Sequence, residues 1–385
     1  MTPFWSPLPP ETSLGLYIHV PFCRRACHYC DFYFTPRASL MEAYVEALQR
    51  EIALYRPLLD SVCIGTVFIG GGTPSWLPES LWEKVWNTLY SLPTFQPEEI
   101  TLEANPEDIT SERIECWKSW GINRVSVGVQ SLSSSVLQTL GRWHIPERAK
   151  KAVEVIVKQG IPSWSVDLIF GVPGQSLKEW EEDLNYFVSL RTPHLSLYGL
   201  TIEPRTVLFK KLHKKRIAPV EDEEYREMYL LAHQILSAAG YNWYEISNWA
   251  LSGYECKHNW RYWLRKPYLG LGPSAHSFVP EKRWWNKKPI QLYMEALDKG
   301  EWPYEKVESL TRKDKLIETW ITQFRTRVGI SLSKLEVEKQ EVITHLTKWE
   351  MQKWLRREDD TLVLTPEGAL MMDYMVECVL RYLPD

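Results

Sequence analysis

The chain has 385 residues, 44% hydrophobic and 24% charged, with a formal net charge of −4. This length accommodates two domains, or one large barrel with an appendage, and the acidic balance excludes a global positive field directed at nucleic acid. With no run of about 18 apolar residues, no transmembrane helix is expected, and the proline-rich opening at 1–11 lacks the basic and apolar regions of a secretory signal.

Short apolar runs recur along the chain with helical segments between them. Residues 16–20 predict a strand, and 40–59 an amphipathic helix with Tyr44, Leu48, Ile52 and Tyr55 on one face. A second strand at 66–69 is stopped by Gly70-Gly71-Gly72, and a helix follows at 79–90. The pairs continue as strand 100–103 with helix 111–120, strand 124–129 with helix 147–159, strand 164–170 with helix 177–190, and a sixth strand at 194–200. Such alternation predicts parallel βα units, in a doubly wound sheet or a barrel. A barrel carries its functional loops at the C-terminal ends of its strands. The conspicuous segments fall there: 21–30, 70–75, 103–106, Gln130 and 171–175.

After residue 200 the alternation breaks. Residues 221–240 read as helix, and 241–289 are dense in aromatics, Gly and Pro. Residues 311–385 read as a helix near 313–325, a polar helix at 332–352, two short strands around 354–364 and a last helix from Pro366. That order resembles a winged helix, for which the mixed surface charge favours a structural role over DNA binding. The expected division is a partial barrel at 14–200, an aromatic-rich extension at 201–305 and a small winged-helix-like unit at 306–385. The basic runs at 210–216 and 353–357 read as solvated surface. The 19 tryptophans and 19 tyrosines could line a wide aromatic ligand, although packing is their commoner use.

Three of the seven cysteines fall within eight residues, Cys23-Arg-Arg-Ala-Cys27-His-Tyr-Cys30. In a reducing cytosol, the expected compartment, such spacing reads as a metal site. Iron–sulfur clusters usually take four thiolates. Three on one loop leave an iron open to a small molecule with amine and carboxylate groups, as S-adenosylmethionine (SAM) has at its methionine end. Zinc with His19 or His28 as fourth ligand is the alternative. Cys63, Cys116 and Cys378 read as buried free thiols, and Cys256 stays open because of its neighbours. Gly70-Gly71-Gly72 would let backbone approach a ligand closely. Glu103 ends the third strand with a carboxylate, and Asp167 sits in an apolar run where it needs a partner.

The segments Tyr17–Cys23, Gly70–Ser75, Glu103–Pro106, Gly128–Ser131, Asp167–Gln175 and Tyr198–Thr201 together resemble the HemN/HemW group of radical SAM proteins, over about residues 14–280 and more loosely to the end. The resemblance implies a partial (β/α)6 barrel with a C-terminal domain. It implies a [4Fe–4S] cluster on Cys23, Cys27 and Cys30, and SAM contacts at Tyr17, Tyr29, Gly72, Thr73, Glu103, Gln130, Arg142 and Asp167. The group contains an oxygen-independent coproporphyrinogen III dehydrogenase of porphyrin biosynthesis and a haem chaperone without that activity. The dehydrogenase has a further cysteine two residues past the third, where this chain has Phe32, and a longer segment before its cysteines than the 22 residues here. The chaperone carries HNxxYW, matched by His258-Asn259-Trp-Arg-Tyr262-Trp263. The resemblance therefore implies haem as a further ligand, with His258 as its iron ligand and Cys256 and His276 as rivals; composition alone favours His258 and Asn259 simply hydrogen-bonding a loop in the core. Tyr262 and Trp263 would stack on the porphyrin. The implied partner is a haem-accepting protein of the respiratory chain. No nucleic acid is expected, and a homodimer and peripheral membrane contact are compatible with the sequence.

Overall fold

The computed structural model describes residues 8–9, 11–334 and 340–382. Six strands follow the predicted alternation: β1 (Ser13–Val20), β2 (Cys63–Gly71), β3 (Phe95–Ala104), β4 (Arg124–Gln130), β5 (Ser163–Phe170) and β6 (His194–Gly199). Each pairs in parallel with the next. Parallel crossovers are right-handed, so an order that never reverses puts every connecting helix on one face. A doubly wound sheet requires a reversal. The result is the wall of a partial barrel, with helices outside and the other face turned inward. Its strands are buried on both faces, which explains their nearly continuous apolar runs.

The barrel stays open because other strands take both edges. The region after β6 supplies β7 (Asn242–Glu245), β8 (Asn248–Ala250), β9 (Tyr268–Leu271), β10 (His276–Val279), β11 (Lys282–Asn286) and β12 (Tyr304–Ser309). β8 pairs antiparallel with β6, and β9 pairs parallel with β1. One sheet thus runs β12-β11-β10-β9-β1-β2-β3-β4-β5-β6-β8-β7.

The predicted helix at 40–59 is two helices, Met41–Leu54 and Arg56–Leu59. Pro57, with no N–H to donate, sits in the first turn of the second. Four helices lacked a predicted counterpart: Ser134–Leu140, Val207–His213, Lys257–Trp263 and Ile290–Asp298. Ser134–Leu140 is capped by the Ser133 side chain, and Val207–His213, which overlaps the basic run at 210–216 read as solvated surface, by that of Thr206. Of the scattered cysteines only Cys256 is buried. Cys63 is exposed, and Cys116 and Cys378 are half-buried. The aromatics mostly pack: Trp82, Trp117, Trp180, Trp249 and Trp284 are among the largest fully buried side chains.

Helix Arg312–Gln323, β13 (Ile330–Ser331), helix Gln340–Met351, β14 (Leu355–Glu358), β15 (Thr361–Leu364) and helices Pro366–Leu370 and Met372–Leu380 form the winged-helix arrangement, with sheet order β13-β15-β14. Residues 335–339 of the predicted polar helix lie outside the described residues. This region buries its own core around Trp320, Phe324, Trp349, Leu362 and Met375. It meets the barrel where Ile246 N–H donates to the Arg325 carbonyl and Arg327 N–H to that of Tyr244. The Arg325 guanidinium pairs with buried Glu245 at 3.1 Å and lies 4.1 Å from the Trp263 ring centroid.

Candidate functional site

The loop after β1 holds the three cysteines in a pinched conformation. At its base Cys23 N–H donates to Thr35 and Thr35 N–H to Pro21. At its tip His28 N–H donates to Leu140, Leu208 N–H to His28, and His28 Nδ1 lies 2.9 Å from the Thr139 carbonyl. Gly141 makes this docking possible. Its φ is +71°, and a Cβ there would sit 2.6 Å from the His28 ring. Gly72 has a similar reason: a Cβ would meet the Phe22 carbonyl at 2.5 Å. The glycine run therefore lets β2 close on the cysteine loop, and Thr73 N–H donates to Phe22.

The cysteines face a cavity of about 880 Å³ at the C-terminal ends of the barrel strands. Tyr29, Gly72, Thr73, Glu103, Gln130, Arg142 and Asp167 line it with them. Thr73 hydroxyl donates to Cys23 Sγ at 3.4 Å, Asn105 amide donates to the Thr73 hydroxyl at 3.3 Å, and Arg142 donates to Asn105 Oδ1 at 2.7 Å and to Cys27 Sγ at 3.4 Å. A continuous belt thus runs from Cys23 to Cys27 through three side chains. Asn105 escaped the sequence reading as a site residue. Its place two residues beyond Glu103, at the end of β3, is the signal that could have found it. Gln130 has a positive φ of 69° at the end of β4, a conformation uncommon for a non-glycine residue.

Two carboxyls face the same space. Glu103 accepts the Gly71 N–H at 3.1 Å, and Asp167 accepts the Ser126 hydroxyl at 3.0 Å. Both are half-buried and open toward the cavity. Desolvation, and after it the charge of Asp167, pushes Glu103 up to about 8. Burial likewise raises Asp167 to about 6, against hydroxyls of Ser196 and Ser126 and the cations Arg124 and Arg142. Burial holds the Cys30 thiol up at about 11, so binding iron there must displace a proton.

The donors fit an iron–sulfur cube open at one iron. They are three thiols on one loop beside a cavity that carries carboxylates, an arginine and backbone amides. Among the described residues, no group of three His, Cys, Asp or Glu side chains is drawn together as a single ion requires; three thiols serving three separate irons do not need to be. Neither His19 nor His28 lines the cavity.

Two expected ligand residues lie elsewhere. Tyr17 is below the cavity floor, its hydroxyl 3.0 Å from His19 Nδ1 and its ring stacked on Phe68. His258, expected to reach haem, is 0% exposed. Its Nδ1 is 2.8 Å from the Thr66 hydroxyl, its Nε2 is 2.9 Å from the Tyr262 hydroxyl, and its N–H donates to Glu99. Both ring nitrogens are engaged within the fold, and desolvation lowers its pKa to about 3. Trp263 carries the Arg325 cation rather than an open face. Of the rivals, Cys256 is buried against Glu99, and His276 is exposed and stacked on Trp285.

The radical SAM superfamily matches residues 17–187. A protein of Mycobacterium tuberculosis (strain ATCC 25618 / H37Rv), named heme chaperone HemW, is 34% identical over 98% of this chain and 97% of its own. The chain belongs to the HemW family of radical SAM proteins. The HemW of Escherichia coli (strain K12) is 38% identical over 71% of each chain, and that of Bacillus subtilis (strain 168) 34% identical over 82% of this chain and 84% of its own. The solved structure of coproporphyrinogen III oxidase (HemN) from Escherichia coli superposes with a TM-score of 0.83, at 22% identity, over 97% of this chain and 91% of that one. This shows that the fold is shared along nearly the whole chain, and a shared fold does not carry activity. Radical SAM membership implies a [4Fe–4S] cluster and SAM. No helix among the described residues is long and apolar enough to cross a membrane.

Proposed function

We propose that this HemW-family chain is a cytoplasmic haem chaperone that binds haem and hands it to an acceptor protein of the respiratory chain, as a homodimer. Cys23, Cys27 and Cys30 would hold the [4Fe–4S] cluster. When bound, that cluster supplies a coordination site for the methionine end of SAM and an electron for its sulfonium. The chain's own residues do the positioning. Thr73, Asn105 and Arg142 orient two of the three sulfurs, and Glu103 and Asp167 place negative charge where a cationic cofactor would lie. Gly72, Gln130 and Tyr29 line its walls, and Tyr17 supports the floor.

The observation that carries the reading over the dehydrogenase is full-length likeness to relatives named as haem chaperones. It is joined by Phe32, 72% exposed at the cavity wall, where the dehydrogenase pattern has a cysteine. His258 enters as an iron ligand only after its Nε2 releases Tyr262, so haem binding through it would be coupled to opening of helix Lys257–Trp263.

The test is a haem titration of the anaerobically reconstituted protein, wild type against His258→Ala, beside an assay with SAM, reductant and coproporphyrinogen III. Stoichiometric haem binding without decarboxylated product is expected, with an altered Soret band in the variant. Decarboxylated product would overturn the chaperone reading, and an unmoved Soret band would remove His258.

A further inference from the structure

Below the large cavity, inside the barrel, lies a second chamber of about 40 Å³. Glu103, Ser126, Asp167 and Tyr198 line both spaces, so the two carboxyls stand in the partition between them. The far side of the chamber is built from Thr101 on β3, Arg124 on β4, Ser165 on β5, His194 on β6, and Cys256 and Asn259 beside and within helix Lys257–Trp263.

Most of this lining is satisfied within the protein. Ser165 hydroxyl donates to Ser126, which donates to Asp167. Arg124 donates to the Ser163 hydroxyl at 2.7 Å and to the Tyr254 carbonyl at 3.0 Å. Cys256 thiol donates to Glu99. His194 Nε2 lies 2.7 Å from the Tyr244 hydroxyl. Two buried atoms are left over, Thr101 Oγ1 and His194 Nδ1, in side chains 0% and 1% exposed. The Asn259 amide has no hydrogen bond to the described protein either, and it too faces the chamber. Unpaired buried polar atoms are costly and rare. Two of them, on two strands around one polar chamber that the half-buried Asn259 also lines, call for a common partner. The volume suits one or two water molecules, each needing at least about 10–15 Å³ and two to four polar neighbours.

We propose that this chamber is a water site, and that Thr101, His194 and Asn259 are positioning residues whose bound water meets Glu103 and Asp167 from below and sets how the pair presents to SAM. The role rests on the SAM reading of the large cavity. Among the described residues Glu103 has a single donor, Gly71 N–H, for a group with four lone-pair sites. A water from below completes its shell when it is ionised and accepts its proton when it is not. The charged and titratable groups facing the pair are Arg124 and Arg142, His194, the phenols of Tyr17, Tyr198 and Tyr262, and the Cys256 thiol. Burial leaves Glu103 near 8 and Asp167 near 6, so the pair keeps about one proton at neutrality. A cationic cofactor would favour loss of that proton, which leaves to solvent through the large cavity that both carboxyls also line. Asn259, carried by the same helix as His258, thereby serves the barrel interior.

Two measurements test this. The first is a high-resolution anaerobic crystal structure without SAM. Ordered water within hydrogen-bond reach of Thr101 Oγ1, His194 Nδ1 and Asn259 is expected, and a dry chamber overturns the proposal. The second is calorimetric SAM binding to the reconstituted, unreduced protein between pH 6 and 9. Asn259→Leu and Thr101→Val should each weaken binding about 5- to 10-fold at pH 7 and move its pH midpoint upward, with iron content and melting temperature retained. Thr101→Ser, which keeps the hydroxyl, should restore wild-type behaviour. Unmoved affinity and midpoint in both variants overturn the positioning role alone. Wild type that binds no SAM at any pH overturns the cofactor reading as well, which separates the two failures.

Discussion

The cysteine loop and helix Lys257–Trp263 make an instructive pair. Both stand out in the sequence as motifs with metal-ligating side chains, yet they sit at different levels of one barrel. The three thiols face open space, each side chain half-buried, with weak sulfur contacts that a metal could replace. The histidine of the helix is sealed in, with both nitrogens and its N–H already engaged. A ligand-rich motif becomes a ligand site only where tertiary structure leaves its donors facing space. Otherwise the same side chains hold the fold together.

Removing the thiols should open the widest gap between the two regions. Any one of Cys23→Ser, Cys27→Ser or Cys30→Ser should abolish iron retention after anaerobic reconstitution, read as iron content and loss of the brown colour, while thermal unfolding stays close to wild type. An iron-loaded variant would break the contrast.

The cavity carboxyls come next. Both have raised pKa values, so both are neutral at low pH and gain charge as pH rises through about 6 and then about 8. Affinity for cationic SAM should therefore climb across that window. Glu103→Gln should lower it by about 10- to 100-fold and remove the upper part of the climb, as measured by calorimetry. A flat profile in wild type would remove both carboxyls from the cofactor site.

The helix should answer in stability. His258→Ala should cost about 2–4 kcal/mol, because it opens a cavity and leaves Thr66 and Tyr262 without their partner. A denaturant midpoint at the wild-type value would contradict this. The pH sign follows from the lowered folded-state pKa of about 3. Stability from a neutral His258 is complete above the unfolded value of about 6.5 and is lost as pH falls toward 3. His194, also held well below its ordinary value by burial, adds to that loss. The variant should show a shallower acid decline than wild type.

Gly141→Ala should have the smallest effect, about 1–2 kcal/mol, and it sharpens the comparison because it acts on the loop's docking and on the left-handed cap of helix Ser134–Leu140, away from helix Lys257–Trp263. Iron should still bind and be released faster to a chelator. Unchanged release would mean that the His28 contact does not steady the loop.

Much of this was legible in sequence because it is local. The alternation of apolar runs and helices placed all six barrel strands. That Cys23, Cys27 and Cys30 share one loop was readable from spacing, and the strand pattern put Gly72, Glu103 and Gln130 at strand ends, where they line one cavity with the thiols. Less legible were features set by distant neighbours. Tyr55 ends a helix predicted to run on, and Asn105 joins Thr73 to Arg142. The basic stretch near Lys211 forms a helix docked by Leu208 against the cysteine loop. The open barrel edges, taken by β8 and β9, also required the three-dimensional fold, since strands of 3 and 4 residues carry little periodic signal.

By itself the sequence determined that parallel βα units would form and that three thiols would share one loop, because period and spacing act over a few residues. Only the tertiary structure decided what each polar side chain faces. Thr66 and His258 are 192 residues apart in the chain and 2.8 Å apart in the fold. Glu103 and Asp167 meet on one partition only because their strands, β3 and β5, flank β4 in a curved sheet. Burial and partnership depend on which elements pack together, and that is a property of the whole chain.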